Sequence, residues 1–298
     1  MNQRVIALGF FDGVHVGHAQ LLQKVRQIAD AKSLTAAAIT FDRHPASFLS
    51  GISTPLINTV SERIELMKRK YLIEEVHVLP FDEKLSAIPW QEFADMVRNH
   101  YQAKHIVCGY DYRFGANGEG AAEKLADYCA KNDIGFDMIE AVRLNGTTVS
   151  STHIRSLLIQ GNMQEAQIFL GHPHLISGIV VDGRKVGRTM GIPTANLSIS
   201  PEVLLPKNGV YAARAFIDDR VYPSVVNIGT RPTFLGQSVT IEPWILDFDQ
   251  DIYGKHISLA LYAYIRNEKK FESKEALQAE ILRNAHTTRE LLKEQGGI

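Results

Sequence analysis

Cysteine is scarce in this chain of 298 residues. Cys108 and Cys129 are the two present, too few for a disulfide framework or a four-thiolate zinc site, and such usage fits a reducing compartment. Net charge is scarce as well: 32 Lys and Arg against 33 Asp and Glu leave −1. That balance excludes a polybasic surface for sequence-independent nucleic-acid binding, though not a phosphate held by a few local groups. No apolar run approaches a membrane span; "ISLALYAYI" is among the longest. The opening "MNQRVIALGFFDG" lacks the apolar length and cleavage site of a signal peptide. Internal repeats and low-complexity segments are also missing. What remains is an ordinary globular composition, 45% hydrophobic and 22% charged, long enough for about two domains. The expectation is a soluble, cytoplasmic protein acting on small molecules, with neither nucleic acid nor membrane as partner. Oligomeric state is not legible.

The two halves have different rhythms. Up to about residue 170, β-rich runs such as "RVIALGFF", "LTAAAITF", "VHVLPF", "HIVCGY" and "FDMIEAV" alternate with helical patterns. In "AQLLQKVRQIADA", Leu21, Leu22, Val25, Ile28 and Ala29 share one helical face. Thr59 stands three residues before Glu62, the spacing of a capping box. This alternation predicts an α/β fold with a Rossmann-like, doubly wound parallel sheet. Helices ending at Gly161 and Gly171 close this half. After Pro173 the runs are strand-like and split by turn residues, Asp218-Asp219 among them, until one long terminal helix. They predict a small antiparallel β-barrel with a C-terminal helix. The domains expected are 1–172 and 173–298.

"GFFDGVHVGH" lies where the first strand hands over to its helix, and ligands of doubly wound sheets sit at such strand ends. Gly9, Gly13 and Gly17 allow a tight turn and close backbone approach. A helix start offers free N–H groups to an anion. His15 and His18 add donors able to charge as phosphate charge builds, which suits a triphosphate whose leaving group is pyrophosphate. Zinc is the rival reading of His-x-x-His, but it needs a further ligand, and Asp12 precedes the turn. In "VSSTHIR", Ser150, Ser151 and Thr152 fall at a helix start, where hydroxyls cap N–H groups or bind phosphate, and Arg155 shares their face.

On these two motifs, with "TFDRHP" and "GYDYRFG", the chain resembles the prokaryotic riboflavin kinase/FAD synthetase family along nearly its whole length. The resemblance implies AMP transfer from ATP to FMN, giving FAD and pyrophosphate, with Mg2+ bridging the phosphates. It implies that His15 and His18 bind the ATP phosphates and stabilise the transition state, assisted by Gly9, Phe10, Phe11, Asp12, Gly13 and Gly17. Ser150, Ser151, Thr152 and Arg155 would grip phosphate from the other side; Asp111 and Phe114 would lie by nucleotide and flavin. Asp42, His44, Pro45 and Phe48 would line the FMN side. Class I aminoacyl-tRNA synthetases share a His-x-Gly-His signature, but their lysine-rich signature and anticodon domain are missing here.

"GRKVGRTMGIPTANL" carries a second chemistry. Gly187 and Gly191 allow a mobile loop, Lys185 and Arg188 give it positive charge, and Thr194 and Asn196 face the same way on an extended segment. Two neutral oxygens suit Mg2+ beside ATP phosphates. The stretch is similar to the riboflavin kinase signature, and "PKNGVY", "NIGTRPTF" and "LDF…YGK" extend the match. By that resemblance Gly187 and Arg188 bind ATP, Glu242 is the base for the ribityl hydroxyl, and Asn284 and Arg289 serve the flavin. Three departures stand out. Pro243 and Trp244 follow Glu242 where a smaller β-former and often His are usual, and Glu280 and Asn284 replace the customary Gln and Asp. Proline after Glu242 implies an edge or a bulge. Two alternatives stay open: adenylyl transfer with an inactive kinase-like barrel, and a flavin-sensing protein without turnover.

Overall fold

Strand β1 (Arg4–Leu8) is buried on both sides: Ile6 and Leu8 enter one apolar cluster, Val5 and Ala7 another. That is the mark of a central parallel strand covered by helices on both faces. The computed structural model describes residues 3–183, 191–233 and 236–295. Its contacts divide the chain into two units, Met1–Ser151 and Thr152–Ile298.

In the first unit β1 is followed by α1 (Val16–Lys32), β2 (Thr35–Phe41), α2 (Pro45–Ser50), α3 (Val60–Tyr71), β3 (Glu75–Leu79), α4 (Glu83–Ala87), α5 (Trp90–Asn99) and β4 (Ala103–Gly109). A ribbon of β5 (Arg113–Phe114) and β6 (Gly120–Ala121), helix α6 (Ala122–Lys131), β7 (Gly135–Ile139) and a ribbon of β8 (Arg143–Leu144) and β9 (Thr147–Thr148) complete it. The five-stranded sheet has the order β3-β2-β1-β4-β7, all parallel. The order reverses between β1 and β4, and the carboxyl ends of those strands frame the crevice expected of this topology. The Thr59–Glu62 capping box starts α3 as the sequence predicts. Helix α1 begins earlier than its apolar spacing suggests, at Val16, so His18 lies in its first turn. The short helices α2 and α4 carry too few periodic residues to be read in advance.

The second unit holds α7 (Ser151–Gln160, whose first residue belongs to the first unit), α8 (Met163–Leu170), β10 (His174–Val181), β11 (Asn196–Ser198), β12 (Gly209–Ile217), β13 (Arg220–Thr233), β14 (Gly236–Ile245), β15 (His256–Arg266) and α9 (Lys274–Glu294). Helix α8 packs on β10 and β15, and α9 on β12, β13 and β15. The strands run antiparallel in the order β11-β10-β15-β12-β13-β14. Ala195 N–H donates to Pro243 O at 2.9 Å, which joins the two ends of that order and nearly closes a six-stranded barrel. Because a strand residue's N–H and C=O point the same way, the N–H that Pro243 lacks would face this seam, not the β13 ladder. Proline is therefore tolerated at an edge, without a bulge between β13 and β14. Among the described residues no helix is long and apolar enough to cross a membrane.

Candidate active sites

In the first unit a cleft of about 340 Å3 opens at the carboxyl ends of β1 and β4. Gly9, Phe10, Phe11, His15, Gly17 and His18 line one side, Gly109 to Arg113 and residues 139–142 another, and Thr148 to Ser151 a third, with Phe41 and Pro45 at the FMN side expected from the sequence. Of the residues singled out earlier, Gly9, Phe10, Phe11, His15, Gly17, His18, Pro45, Asp111, Ser150 and Ser151 thus come together.

The turn between β1 and α1 is strained. Phe11 has φ 58°, Gly13 81° and Val14 39°, and Val14 N–H closes it on Phe11 O at 3.0 Å. A β-branched residue at positive φ costs on the order of 1–3 kcal/mol and persists only where its surroundings impose it. His15 is the N-cap of α1: its Nδ1 accepts from His18 N–H at 3.2 Å, so the proton of the neutral ring sits on Nε2. The His15 and His18 rings stack, with centroids 3.6 Å apart. Gly17 suits that stack, because a Cβ there would lie 3.1 Å from two His15 ring atoms and would press on the ring. Burial, then the adjacent His15 ring and the Arg63 guanidinium, hold the His18 imidazole well below its ordinary pKa.

Arg63, which the motifs do not touch, braces this loop. It is fully buried on α3 and donates to Phe10 O, to Phe41 O at 3.0 Å and to Thr40 Oγ1 at 3.3 Å, with its guanidinium 4.3 Å from the Phe10 ring centroid. Burial lowers its pKa to about 10, opposed by Asp12 and Asp42, so it remains a cation at neutral pH. A charged residue sharing the buried face of α3 with Met67 and Tyr71, at i+4 and i+8, is the signal that could have found it.

Several expected residues hold positions other than those foreseen. Asp12 is buried, and its Oδ1 accepts from Ile57 N–H at 2.9 Å and Asn58 N–H at 3.3 Å; the carboxylate anchors a loop and does not line the cleft. Gly13 serves the turn and likewise stays off the lining. Phe114 is a core residue at 6% exposure, and Tyr112, stacked on it at 5.4 Å, is the ring that lines the cleft. Of the two rings, the one without a polar group is the one buried in the core. Asp42 Oδ1 accepts from Phe81 N–H at 2.8 Å, His44 lies edge-on to Phe10, and Phe48 edge-on to Phe81. Ser151 Oγ donates to Asp12 O at 2.9 Å, which ties the start of α7 to the histidine loop. Thr152 and Arg155 continue along α7, exposed and half-buried.

In the second unit the barrel seam draws distant candidates together. The Ala195–Pro243 bond sets the Thr194–Asn196 segment against β14 beside half-buried Glu242. Register makes a row across four strands: Arg266 opposite Val210, Val210 opposite Asn227, and Asn227 opposite Glu242. Directly opposed residues share a face, and Val210 packs with Val225, Trp244 and Ala285 of α9, so this row lies on the side α9 covers. Asn284, also on α9, accepts from Arg266 Nε at 3.3 Å, while Arg266 pairs with Glu280 at 3.1 Å. Arg283 first, and Lys269 after it, hold the Glu280 carboxyl down at about 2. Arg289 forks onto Asp247 at 2.8 and 3.0 Å. Lys185, Gly187 and Arg188 lie outside the described residues.

Comparison with known proteins matches two family models to successive stretches of the chain. The FAD synthetase family model matches residues 1–153 and the riboflavin kinase model residues 170–292. A bifunctional riboflavin kinase/FMN adenylyltransferase of Listeria monocytogenes is 35% identical over 96% of this chain and 91% of its own length. The protein of the same description from Escherichia coli K12 is 35% identical over 96% of this chain and 92% of its own. A solved structure described as a macrolide-efflux protein from Streptococcus pneumoniae superposes with a TM-score of 0.86 at 32% identity, covering 97% of this chain and 94% of that one. The chain belongs to the bifunctional riboflavin kinase/FMN adenylyltransferase family.

Proposed function

We propose that the first site transfers AMP from ATP to FMN and that the second phosphorylates riboflavin to FMN, the chemistry dividing at residues 172 and 173. In the first reaction an FMN phosphate oxygen attacks the α-phosphorus of ATP and pyrophosphate leaves. No protein nucleophile is needed; positioning and charge neutralisation carry the rate. His15 offers Nε2–H to the phosphates and His18 takes up positive charge beside them, while the start of α1 adds backbone N–H groups. Ser150, Ser151, Thr152 and Arg155 grip the leaving side. Asp42, His44 and Phe48, near the Pro45 wall, serve the flavin.

In the second reaction Glu242 accepts the proton of the riboflavin 5′-hydroxyl as its oxygen bonds the γ-phosphorus and ADP leaves. A divalent cation is expected to accompany the nucleotide phosphates. The neutral oxygens of Thr194 and Asn196, beside Glu242, fit a Mg2+ that neutralises phosphate charge. Asn284 and Arg289 act here by fixing Arg266 and Asp247. Two buried free thiols, Cys108 and Cys129, support a reducing, cytoplasmic setting.

The observation that carries the first assignment is the stacked histidine pair in one cleft with Ser150 and Ser151. The test is a pair of incubations with Mg-ATP, one given FMN and one riboflavin, resolved by chromatography. FAD is expected from the first, FMN and then FAD from the second. Untouched riboflavin would remove the kinase assignment, and no product in either would leave a flavin binder. His18→Ala should lower FAD synthesis about 100- to 1000-fold while sparing riboflavin phosphorylation.

A further inference from the structure

Opposite Glu242 in the β13–β14 register stands Asn227, which opens the "NIGTRPTF" stretch and has been given no role of its own above. Its Nδ2 donates to Glu268 Oε1 at 3.3 Å, from the segment just after β15. A Cβ on Gly229, two residues along β13, would lie 2.2 Å from Glu268 Oε1 and 2.9 Å from Cδ, so a side chain there would displace the exposed carboxylate from this position. Asn227 and Gly229 share a face, and register puts Glu242 and Thr240 on that same face. A carboxylate only accepts, so Glu268 fixes the amide: the nitrogen must turn toward it and Oδ1 away. Oδ1 is then the acceptor that remains beside Glu242.

We propose that Asn227, its amide oriented by Glu268, accepts a hydrogen bond from a second hydroxyl of the polyol whose terminal hydroxyl Glu242 deprotonates. This rests on the reading of that face as the phosphorylation site. Asn227 touches substrate; Glu268 is a positioning residue acting through it. A polyol held at two adjacent hydroxyls cannot swing its terminal oxygen off the line of attack, so the effect falls on turnover as well as on binding. A glutamine at 268 can donate or accept, and the orientation of the Asn227 amide is then lost.

The test uses the full chain with Mg-ATP and riboflavin, and FMN adenylylation as the check on folding. Asn227→Ala should lower kcat/KM for riboflavin about tenfold, part of it in kcat, with KM for ATP unchanged. Glu268→Gln should lower it less, and Gly229→Ala, which fills the carboxylate seat, should match Glu268→Gln. The Asn227→Ala/Glu268→Gln double variant should be no worse than Asn227→Ala alone, because Glu268 acts only through the amide. An unchanged Asn227→Ala, or a double variant whose loss is the product of the singles, overturns the proposal. Glu242→Gln separates the two levels. If it abolishes phosphorylation, the result for Asn227 decides the proposal by itself; phosphorylation at the wild-type rate would instead remove the reading of the face.

Discussion

His15 and His18 lie ring on ring, 3.6 Å between centroids and 11° between planes, and the positive Arg63 acts on His18 as well. Two imidazolium charges so close would repel by on the order of 4 kcal/mol at an effective dielectric of 20. His18 is accordingly neutral at pH 7 in the free protein, and a polyphosphate supplies the opposing charge. Its pKa then rises on binding, and the sign follows: a ligand that raises a pKa binds more tightly as pH falls. ATP binding at about pH 6.5 should take up protons, seen as a calorimetric heat that varies with the ionisation enthalpy of the buffer. His18→Ala should show less uptake than the wild type. A wild-type heat independent of buffer would contradict this account.

Arg63 makes a second, simpler claim on the same loop. Its donors satisfy Phe10 O, Phe41 O and Thr40 Oγ1 at the ends of β1 and β2. Arg63→Met keeps most of the volume but leaves those carbonyls without a charged donor, at a cost of about 3 kcal/mol in stability. Urea unfolding should report that loss, and FAD synthesis should fall with it. Arg63→Lys should recover part of the stability and little of the rate, since an ammonium cannot hold both carbonyls in a planar fork.

What the sequence made legible was whatever local periodicity and short motifs encode. The β1–α1 junction, the capping box at Thr59 and the Asp218-Asp219 hairpin need only neighbouring residues. The row Arg266–Val210–Asn227–Glu242 was not legible, because it depends on four strands and on a register shift in β15 beside Val210. The same limit applies to Phe114 and Asp12, whose side chains answer to long-range packing and to the backbone N–H groups of residues 57 and 58.

The departures at Glu280 and Asn284 now have a physical reading. Arg266 Nε is 3.1 Å from Glu280 Oε1 and 3.3 Å from Asn284 Oδ1, one turn apart on α9. A carboxylate at either turn can pair with this guanidinium, so Gln-then-Asp and Glu-then-Asn carry equivalent charge. Glu280→Gln alone should raise KM for riboflavin several-fold. Glu280→Gln/Asn284→Asp should return it toward wild type, and failure of that rescue would mean that the Glu280 carboxylate serves Arg283 and Lys269 instead.

His174 offers a test in the barrel that involves no substrate. It opens β10 at 1% exposure, and burial, with His172 adding to it, pushes its pKa down to about 4. The fold therefore holds this ring neutral while the unfolded chain, with a pKa of about 6.5, takes a proton. Stability is complete above about pH 6.5 and is lost as pH falls toward about 4, by about 3 kcal/mol over that interval. Below about 4 both states are protonated and this contribution falls no further. Urea unfolding of the full chain at several pH values should show His174→Leu losing less stability than wild type between pH 6.5 and 4, because the other titrating groups are common to both. Parallel profiles would mean that His174 ionises within the fold as readily as outside it.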